Sequence, residues 1–366
     1  MIRGKNSPFP FFFTSWRYPW YNSVTMNLIK TEEAVGQVLC HDVTQIIKDV
    51  VKDAIFRKGH IITEADIPVL LSLGKDHVYI WELTEGMLHE DDAADILRQI
   101  CQGADMKATP PKEGKIELVA DIDGLFIVDV ERLRAINSLG EMMIATRASG
   151  FPVKKGDKLA GTRVIPLVIE KEKMERAREV AGNTPLLRLL PFRARKYSLI
   201  TTGSEVFHGR IQDTFSPVIR EKMARYDCEM VRHQILDDDH EKITSAINAM
   251  LAEGAEMVFC TGGMSVDPDD KTPLAIKNTG ATIVSYGAPV LPGAMFLIAY
   301  TSDGQAICGL PGCVMFAGHT IFDLVLPMLL SDVPVTTQWL AGLGNGGMCL
   351  NCPECRYPNC MFGKGV

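Results

Sequence analysis

The chain has no apolar run approaching the roughly 20 residues that span a bilayer, so nothing in the sequence calls for an integral membrane protein. It has no basic excess: 38 Lys and Arg stand against 45 Asp and Glu, a formal charge of −7. That removes the electrostatic footprint on which nucleic-acid binding depends. Ten cysteines in 366 residues are too few for a disulfide scaffold. Six are scattered through apolar or loop sequence and are expected to stay reduced in a cytoplasm, while the other four crowd into the tail. Aromatic residues make up only 7% of the chain, yet they cluster at its start, in Phe9-Pro10-Phe11-Phe12-Phe13, Trp16, Trp20 and Tyr21. This stretch has no periodicity and lacks the apolar core and cleavage site of a signal peptide. Residues 1–25 therefore read as disordered or mis-called upstream sequence, with Met26 as the expected natural start.

What is present suits two or three domains with ample core. Residues 26–106 read as a small α+β unit. Val35–Leu39 with Asp42–Val43 forms a strand or edge pair, and Thr63 caps a helix carrying Ile67, Leu70, Leu71 and Leu73 up to Gly74. His77–Trp81 reads as a strand and Asp91–Cys101 as a helix. After the linker Thr109-Pro110-Pro111, residues 107–180 read as a mainly β domain. Its strands are Ile116–Val119, Leu125–Val128, Met142–Ala145 and Val164–Ile169, with a short helix over Asp129–Leu139 and a charged connector helix from Lys171.

Residues 181–335 change rhythm to alternating strands and helices, the mark of a parallel α/β sheet. Strands are expected at Tyr197–Thr202, Cys228–Leu236, Met257–Cys260, Thr282–Ser285, Phe296–Ala299 and Ala306–Leu310. Asp238-x-x-Glu241 has the capping-box pattern, and Thr272-Pro273 reads as an N-cap and first helical position. Ligands of open α/β sheets bind at the carboxyl ends of strands, and Glu205, Asp237-Asp238 and Asp269-Asp270 all follow strand ends with glycines beside them. Carboxylates beside a glycine turn and a helix N-terminus suit a divalent cation with a phosphate. Each acid also has a plainer reading, as a turn residue, a helix cap or a partner of the helix dipole.

Five motifs occur in order: Thr202-Gly203-Ser204-Glu205, Gly209-Arg210-Ile211-Gln212-Asp213, Leu236-Asp237-Asp238, Thr261-Gly262-Gly263-Met264-Ser265-Val266 with Asp270, and Gly309-Leu310-Pro311-Gly312. The pattern resembles the molybdopterin-binding domain of enzymes that complete molybdenum cofactor. Within that group it is similar to the molybdenum-inserting branch, molybdopterin molybdenumtransferase. The resemblance covers roughly Tyr197 to Leu330 and implies a three-layer α/β fold with a mostly parallel sheet, preceded here by the small α+β unit and the mainly β domain.

The resemblance further implies that adenylated molybdopterin and molybdate become molybdenum cofactor and AMP with Mg²⁺. Glu205, Asp238 and Asp270 then match the functional acids, both catalytic and Mg²⁺-holding. Gly203, Ser204, Asp213, Thr261, Gly262, Gly263, Ser265, Gly309, Pro311 and Gly312 match cofactor-binding positions. The implied partners are molybdopterin, molybdate and a molybdoenzyme or other protein of the pathway, with a homo-oligomer as the assembly and the cytoplasm as the location.

Three features depart from the family pattern. Cys313-Val314 replaces the usual Asn-Pro, Leu291 and Ala294 stand where lysines flank Pro292-Gly293, and the Ala-Met-Asp-Gly catalytic segment is absent. Lys58-Gly59-His60-Ile61-Ile62 is a displaced echo of the segment that precedes this domain in the family. These departures support an alternative, a non-catalytic molybdopterin-binding carrier or regulatory protein.

Residues 336–366 form a Gly-, Asn- and Cys-rich tail expected to bury little core. Its Cys349-x2-Cys352-x2-Cys355-x4-Cys360 is close to metal-site spacing, and four thiolates suit Zn²⁺ or an iron–sulfur cluster. Free thiols in an unstructured tail, or a metal-transfer role, are the other readings, and a metal-binding interaction protein acting through this tail is a third functional class. The expected start is checked by N-terminal sequencing of the native protein. Met26 is the expected first residue, and any peptide from upstream rules it out.

Overall fold

The computed structural model describes residues 28–47, 51–80, 86–265, 267–268 and 270–365. The expected start at Met26, the end of one expected strand at Trp81, and Val266 and Asp269 of the glycine loop lie outside the described residues. The chain divides into two compact units, one of residues up to 90 with 166–172, the other of 91–165 with 173–366.

In the first unit, Leu28–Lys30 pairs antiparallel with His77–Tyr79, and Val43–Ile47 forms a hairpin with Val51–Phe56. The helix Asp66–Ser72 covers a small core that includes Leu39, Phe56, Ile62, Leu70 and Val78. Thr63 does not cap this helix. Its amide and hydroxyl both donate to Asp66 Oδ2, because an ionised carboxylate accepts two donors at once.

The second unit begins at Asp91, within the helix Glu90–Cys101, and continues into a β part. A four-stranded sheet runs in the order Met106–Ala108, Lys115–Ala120, Lys158–Val164, Met142–Thr146, and a three-stranded one in the order Phe151–Val153, Gly124–Val128, Leu187–Pro191. The strand expected over Val164–Ile169 is split, ending at Val164 and resuming at Val168–Glu170. Pro166, which has no N–H to give a ladder, sits in the gap. Leu187–Pro191 pairs with Gly124–Val128, so the β part extends past residue 180.

The α/β part holds β1 (Lys196–Thr202), α1 (Ser204–Phe207), α2 (Phe215–Ala224), β2 (Glu229–Leu236), α3 (His240–Ala252), β3 (Met257–Thr261), α4 (Thr272–Asn278), β4 (Thr282–Tyr286), β5 (Leu297–Tyr300), β6 (Ala306–Leu310), α5 (Ile321–Leu330) and α6 (Thr337–Gly342). The strand order is β2-β1-β3-β6-β5-β4. The first four are mutually parallel, whereas β5 runs antiparallel to both its neighbours, β6 and β4. The sheet is therefore mixed. No helix separates β4 from β5, so the chain has no crossover with which to set them parallel.

Every residue of β3 is buried, as a central parallel strand requires. Its side chains alternate between two cores. Met257 and Phe259 pack with α2 and α5, while Val258 and Cys260 pack with α3 and α4. The tail buries more than its composition foretold. Leu340, Leu343 and Phe362 join the first core, and the Tyr357 hydroxyl donates to Asp323 O at 2.9 Å. No helix among the described residues is long and apolar enough to cross a membrane.

One ion pair is fully inside. Lys222 Nζ on α2 reaches Asp323 Oδ1 on α5 at 2.5 Å with both side chains under 10% exposed, and it donates to Gly318 O at 3.0 Å. Asp323 Oδ2 also accepts from the Thr320 amide, closing the capping box of α5. Removing one partner strands the other charge in low dielectric. Lys222→Met is expected to cost roughly 3–5 kcal/mol, read from denaturant unfolding of the second unit. A cost below about 1 kcal/mol, the range of exposed pairs, contradicts that.

Candidate functional site

Four parallel strands deliver their carboxyl ends to one edge of the sheet, where open α/β sheets form ligand sites. The chain leaves β1 through Gly203 at φ +133°, a conformation closed to side chains with a Cβ, and turns into α1. The Ser204 amide and hydroxyl both donate to Asp238 Oδ2, at 2.9 and 3.0 Å, which ties the end of β2 to the end of β1. Asp238 does not cap α3, as the capping-box pattern predicted. Asp239 does so, accepting from the Glu241 and Lys242 amides. Asp237 Oδ2 accepts from Lys242 Nζ at 2.9 Å, while Asp237 Oδ1 is buried with no hydrogen-bond partner. Glu205 is exposed in the single turn of α1.

From β3 the chain enters Gly262 at φ +88° and Gly263 at φ +56°. A Cβ on Gly262 would stand 2.3 Å from Thr202 O, and one on Gly263 2.8 Å from Thr272 Oγ1. Thr272 is the first residue of α4 and not its cap. Its hydroxyl donates to Gly262 O at 2.9 Å, so it holds the glycine turn instead. Met264 then tucks under the loop against Gly309, where a Cβ would stand 2.4 Å from its sulfur. The Ser265 amide donates to Asp270 Oδ2 at 2.7 Å.

Sequence reasoning missed Tyr286 at the end of edge strand β4. Its hydroxyl donates to Met264 O at 2.9 Å and closes the loop from behind. Burial, and then the charge of Asp270, push its phenol above the ordinary range. No local signal marks it, because the contact exists only once β4 has folded onto the sheet edge.

These groups border a cavity of about 510 Å³. It brings together Gly262, Gly263, Ser265, Asp270, Pro311 and Gly312 from the expected set, and Cys313 lines it too. Gly203, Ser204, Glu205 and Asp238 do not line it; the first three form the turn after β1, and Asp238, after β2, is bonded to that turn. Thr261 and Gly309 lie within the sheet, Thr261 fully buried with its hydroxyl on Ile200 O. Asp213 is placed elsewhere. Its Oδ1 accepts from the Phe215 and Ser216 amides at 2.9 and 3.1 Å, and its Oδ2 lies 3.2 Å from Thr201 Oγ1 and 3.4 Å from His233 Nε2. Burial alone would raise its pKa, but bonds from Ser216 and Phe215 and the His233 charge outweigh it and hold the carboxyl below the usual range. The wall opposite the glycine turn is apolar, with Leu291, Pro292 and Ala294, and among the described residues no lysine or arginine lines the cavity.

Among the described residues, no three His, Cys, Asp or Glu side chains are grouped to hold a metal ion, neither the three acids nor the tail cysteines. The reason for the acids is visible. Asp238 turns toward the β1 side and Asp270 toward the cavity, each fixed by backbone donors. Mg²⁺ does not need a three-carboxylate cage, since it keeps several waters and takes one or two carboxylates with phosphate oxygens. Asp270 at the cavity, and Asp238 with the orphaned Asp237 Oδ1 beside it, are hard oxygen donors that fit this demand. In the tail, Cys349 and Cys360 are half-buried, Cys352 and Cys355 are exposed, and all four are free thiols. Elsewhere burial pushes Cys40 up to about 11 and Cys101 and Cys260 up to about 12, as expected of inert core thiols.

Residues 198–331 match a family described as a probable molybdopterin binding domain, and residues 28–82 match a domain of unknown function (DUF8806). Molybdopterin molybdenumtransferase of Synechococcus elongatus is 24% identical over 196 residues, covering 50% of this chain and 46% of the relative. A CinA-like protein of Pseudothermotoga lettingae is 35% identical over 82 residues, 22% of this chain and 20% of that protein. Among solved structures, the tungsten cofactor synthesizing protein MoaB from Pyrococcus furiosus covers 37% of this chain and 89% of its own, at 21% identity and a TM-score of 0.29. The chain spans less than half the length of the first of these curated relatives.

The close approach at Gly262 separates two costs. Gly254, at φ +97°, has nothing within 4 Å of an added Cβ, whereas Gly262 has Thr202 O at 2.3 Å. Gly254→Ala is expected to cost about 1–2 kcal/mol from backbone strain alone. Gly262→Ala is expected to cost clearly more in thermal or denaturant unfolding, and equal costs contradict the packing.

Proposed function

With residues 198–331 a member of the molybdopterin-binding domain family, we propose that the chain acts in molybdenum cofactor biosynthesis by binding adenylated molybdopterin in the cavity at the strand ends and inserting molybdate with release of AMP. The observation that carries the reading is the pairing, in one cavity, of a bare glycine backbone and a fixed carboxylate, Gly262-Gly263 with Asp270. Glycine lets a ligand approach the main chain closely. The phosphoanhydride of the adenylated pterin lies along this turn. Water attacks the adenylyl phosphorus as the bridging P–O bond breaks, so that AMP carries the new P–O bond and the pterin leaves as its monophosphate; the two dithiol sulfurs replace one molybdate oxygen, which leaves with their two protons as water.

Asp270, and Asp238 with Asp237, are the residues to hold Mg²⁺, which supplies charge neutralisation for the phosphate oxygens. The Ser265 amide on Asp270 Oδ2 fixes how that carboxylate faces the ligand. Pro311-Gly312 forms a side of the pocket, and Tyr286 keeps the loop from folding outward. The apolar wall of Leu291, Pro292 and Ala294 favours a second reading, a carrier that binds the pterin without turnover. A cation beside an oxyanion is the best holder of molybdate, and this wall has none.

The test uses the full chain, adenylated molybdopterin, molybdate and Mg²⁺, with AMP release as the readout. Molybdate-dependent release, falling about a hundredfold or more in Asp270→Ala, is the expected outcome; that factor corresponds to a few kcal/mol of charge stabilisation. Tight pterin binding without AMP release establishes the carrier. Absence of both overturns the reading.

A further inference from the structure

The tail does more than end the chain. Leu291 on the cavity wall gives its amide to Gly347 O and takes the Cys349 amide on its own carbonyl, each at 2.8 Å. The tail then passes over the N-terminal end of α5. There Cys355 Sγ lies 3.3 Å from His319 Nδ1. The imidazole stacks on the Tyr357 ring with centroids 4.3 Å apart and planes at 30°, and Tyr357 is held by its bond to Asp323 O. Two soft or borderline ligands from distant parts of the chain are thus brought together by a packed aromatic and a capping turn.

Their spacing is informative. Tetrahedral zinc, with Zn–S near 2.3 Å and Zn–N near 2.0–2.1 Å, sets a sulfur-to-nitrogen edge of about 3.5 Å. The observed 3.3 Å is close to that edge. Cys352 precedes Cys355 by the two-residue spacing of zinc knuckles, and both are exposed. Cys360 and Tyr357 pack against the same core.

We propose that His319, Cys352, Cys355 and Cys360 form a structural Zn²⁺ site, with His319 and Cys355 standing at ligand spacing and Cys352 and Cys360 drawn in by the metal. The sequence pointed to four cysteines alone. The structure adds the histidine and leaves Cys349 to the backbone pairing with Leu291. Coordination removes three thiol protons and closes a loop of about forty residues from His319 to Cys360. It also braces the cavity wall through Gly347 and Cys349. None of this depends on the pterin reading, since the metal is read out without substrate.

The test takes the full chain, reduced and stripped of metal, and titrates it with Zn²⁺ and separately with Co²⁺. The expected result is about one tight equivalent per chain, with thiolate charge-transfer and tetrahedral d–d absorption in the cobalt form. His319→Ala and Cys355→Ser are expected to lose the tight equivalent. His319→Cys, Cys349→Ser and Cys313→Ser are expected to keep it, and circular dichroism checks that each variant is folded. No tight equivalent in the wild type overturns the proposal, as does stoichiometric iron with sulfide in the purified protein. Unchanged zinc affinity in His319→Ala, or loss in Cys349→Ser, overturns the assignment of the ligands.

Discussion

The candidate site rests on how closely the turn after β3 packs on the end of β1. With the Thr202 carbonyl 2.3 Å from where a Gly262 Cβ would be, only glycine allows the two strand ends to meet. Thr202 Oγ1, itself 3.3 Å from Thr272 Oγ1, and the Thr272 bond to Gly262 O complete the lashing. Because the turn is held from β1 and α4 together, the loop beyond it starts from a fixed point. That is what allows Asp270 to be aimed by one backbone amide. A site on a looser loop would have to order itself each time a ligand arrived, at a cost in conformational entropy.

Much of this was legible in the sequence, and the misses share a cause. Strands β1 to β6 and the glycine turn follow from apolar runs and punctuation, which are local. Capping was misread at Asp238 and Thr272 because both residues can satisfy a helix end, and the fold uses each for a partner far along the chain, Ser204 and Gly262. The end of α3 is then capped by its neighbour Asp239, whereas Lys271 at the N-cap position of α4 makes no side-chain capping bond. A pattern three or four residues long cannot see a competitor that sequence separation hides. The same holds for Tyr286 and His319, whose partners lie 22 and 36 residues away. The mostly parallel sheet agrees with the expectation, and the one reversed strand, β5, has a plain cause: strand direction is set by the connection, and the one from β4 to β5 holds no helix.

The three acids expected to act together are split by the topology. Asp238, after β2, is bonded to the turn after β1, Asp270 belongs to the cavity, and the single-turn α1 carries Glu205. The shell of a hard cation is usually mixed, with water and phosphate supplying most of it, so its carboxylate ligands need not touch one another. Among the described residues, Asp237 Oδ1 is buried without a hydrogen-bond partner, as is His240 Nδ1 three residues further on. Buried polar atoms are nearly always satisfied, so an exception beside a candidate cation position carries weight.

The apolar wall and the tail then belong to one assembly. Gly293 sits against α5, where a Cβ would stand 2.5 Å from Ile321 Cγ2, so the wall cannot move without moving the start of that helix. The same helix start carries Thr320 and Asp323, and Asp323 receives Lys222 from α2 and gives its carbonyl to Tyr357 of the tail. The tail returns to the wall through the two backbone bonds at Leu291. Strain applied to the tail therefore reaches the cavity by a short path of packed groups and hydrogen bonds. In a pocket that lacks a cation at this wall, rigidity takes over part of what charge would have done: an apolar face held in place selects by shape where a mobile one would not.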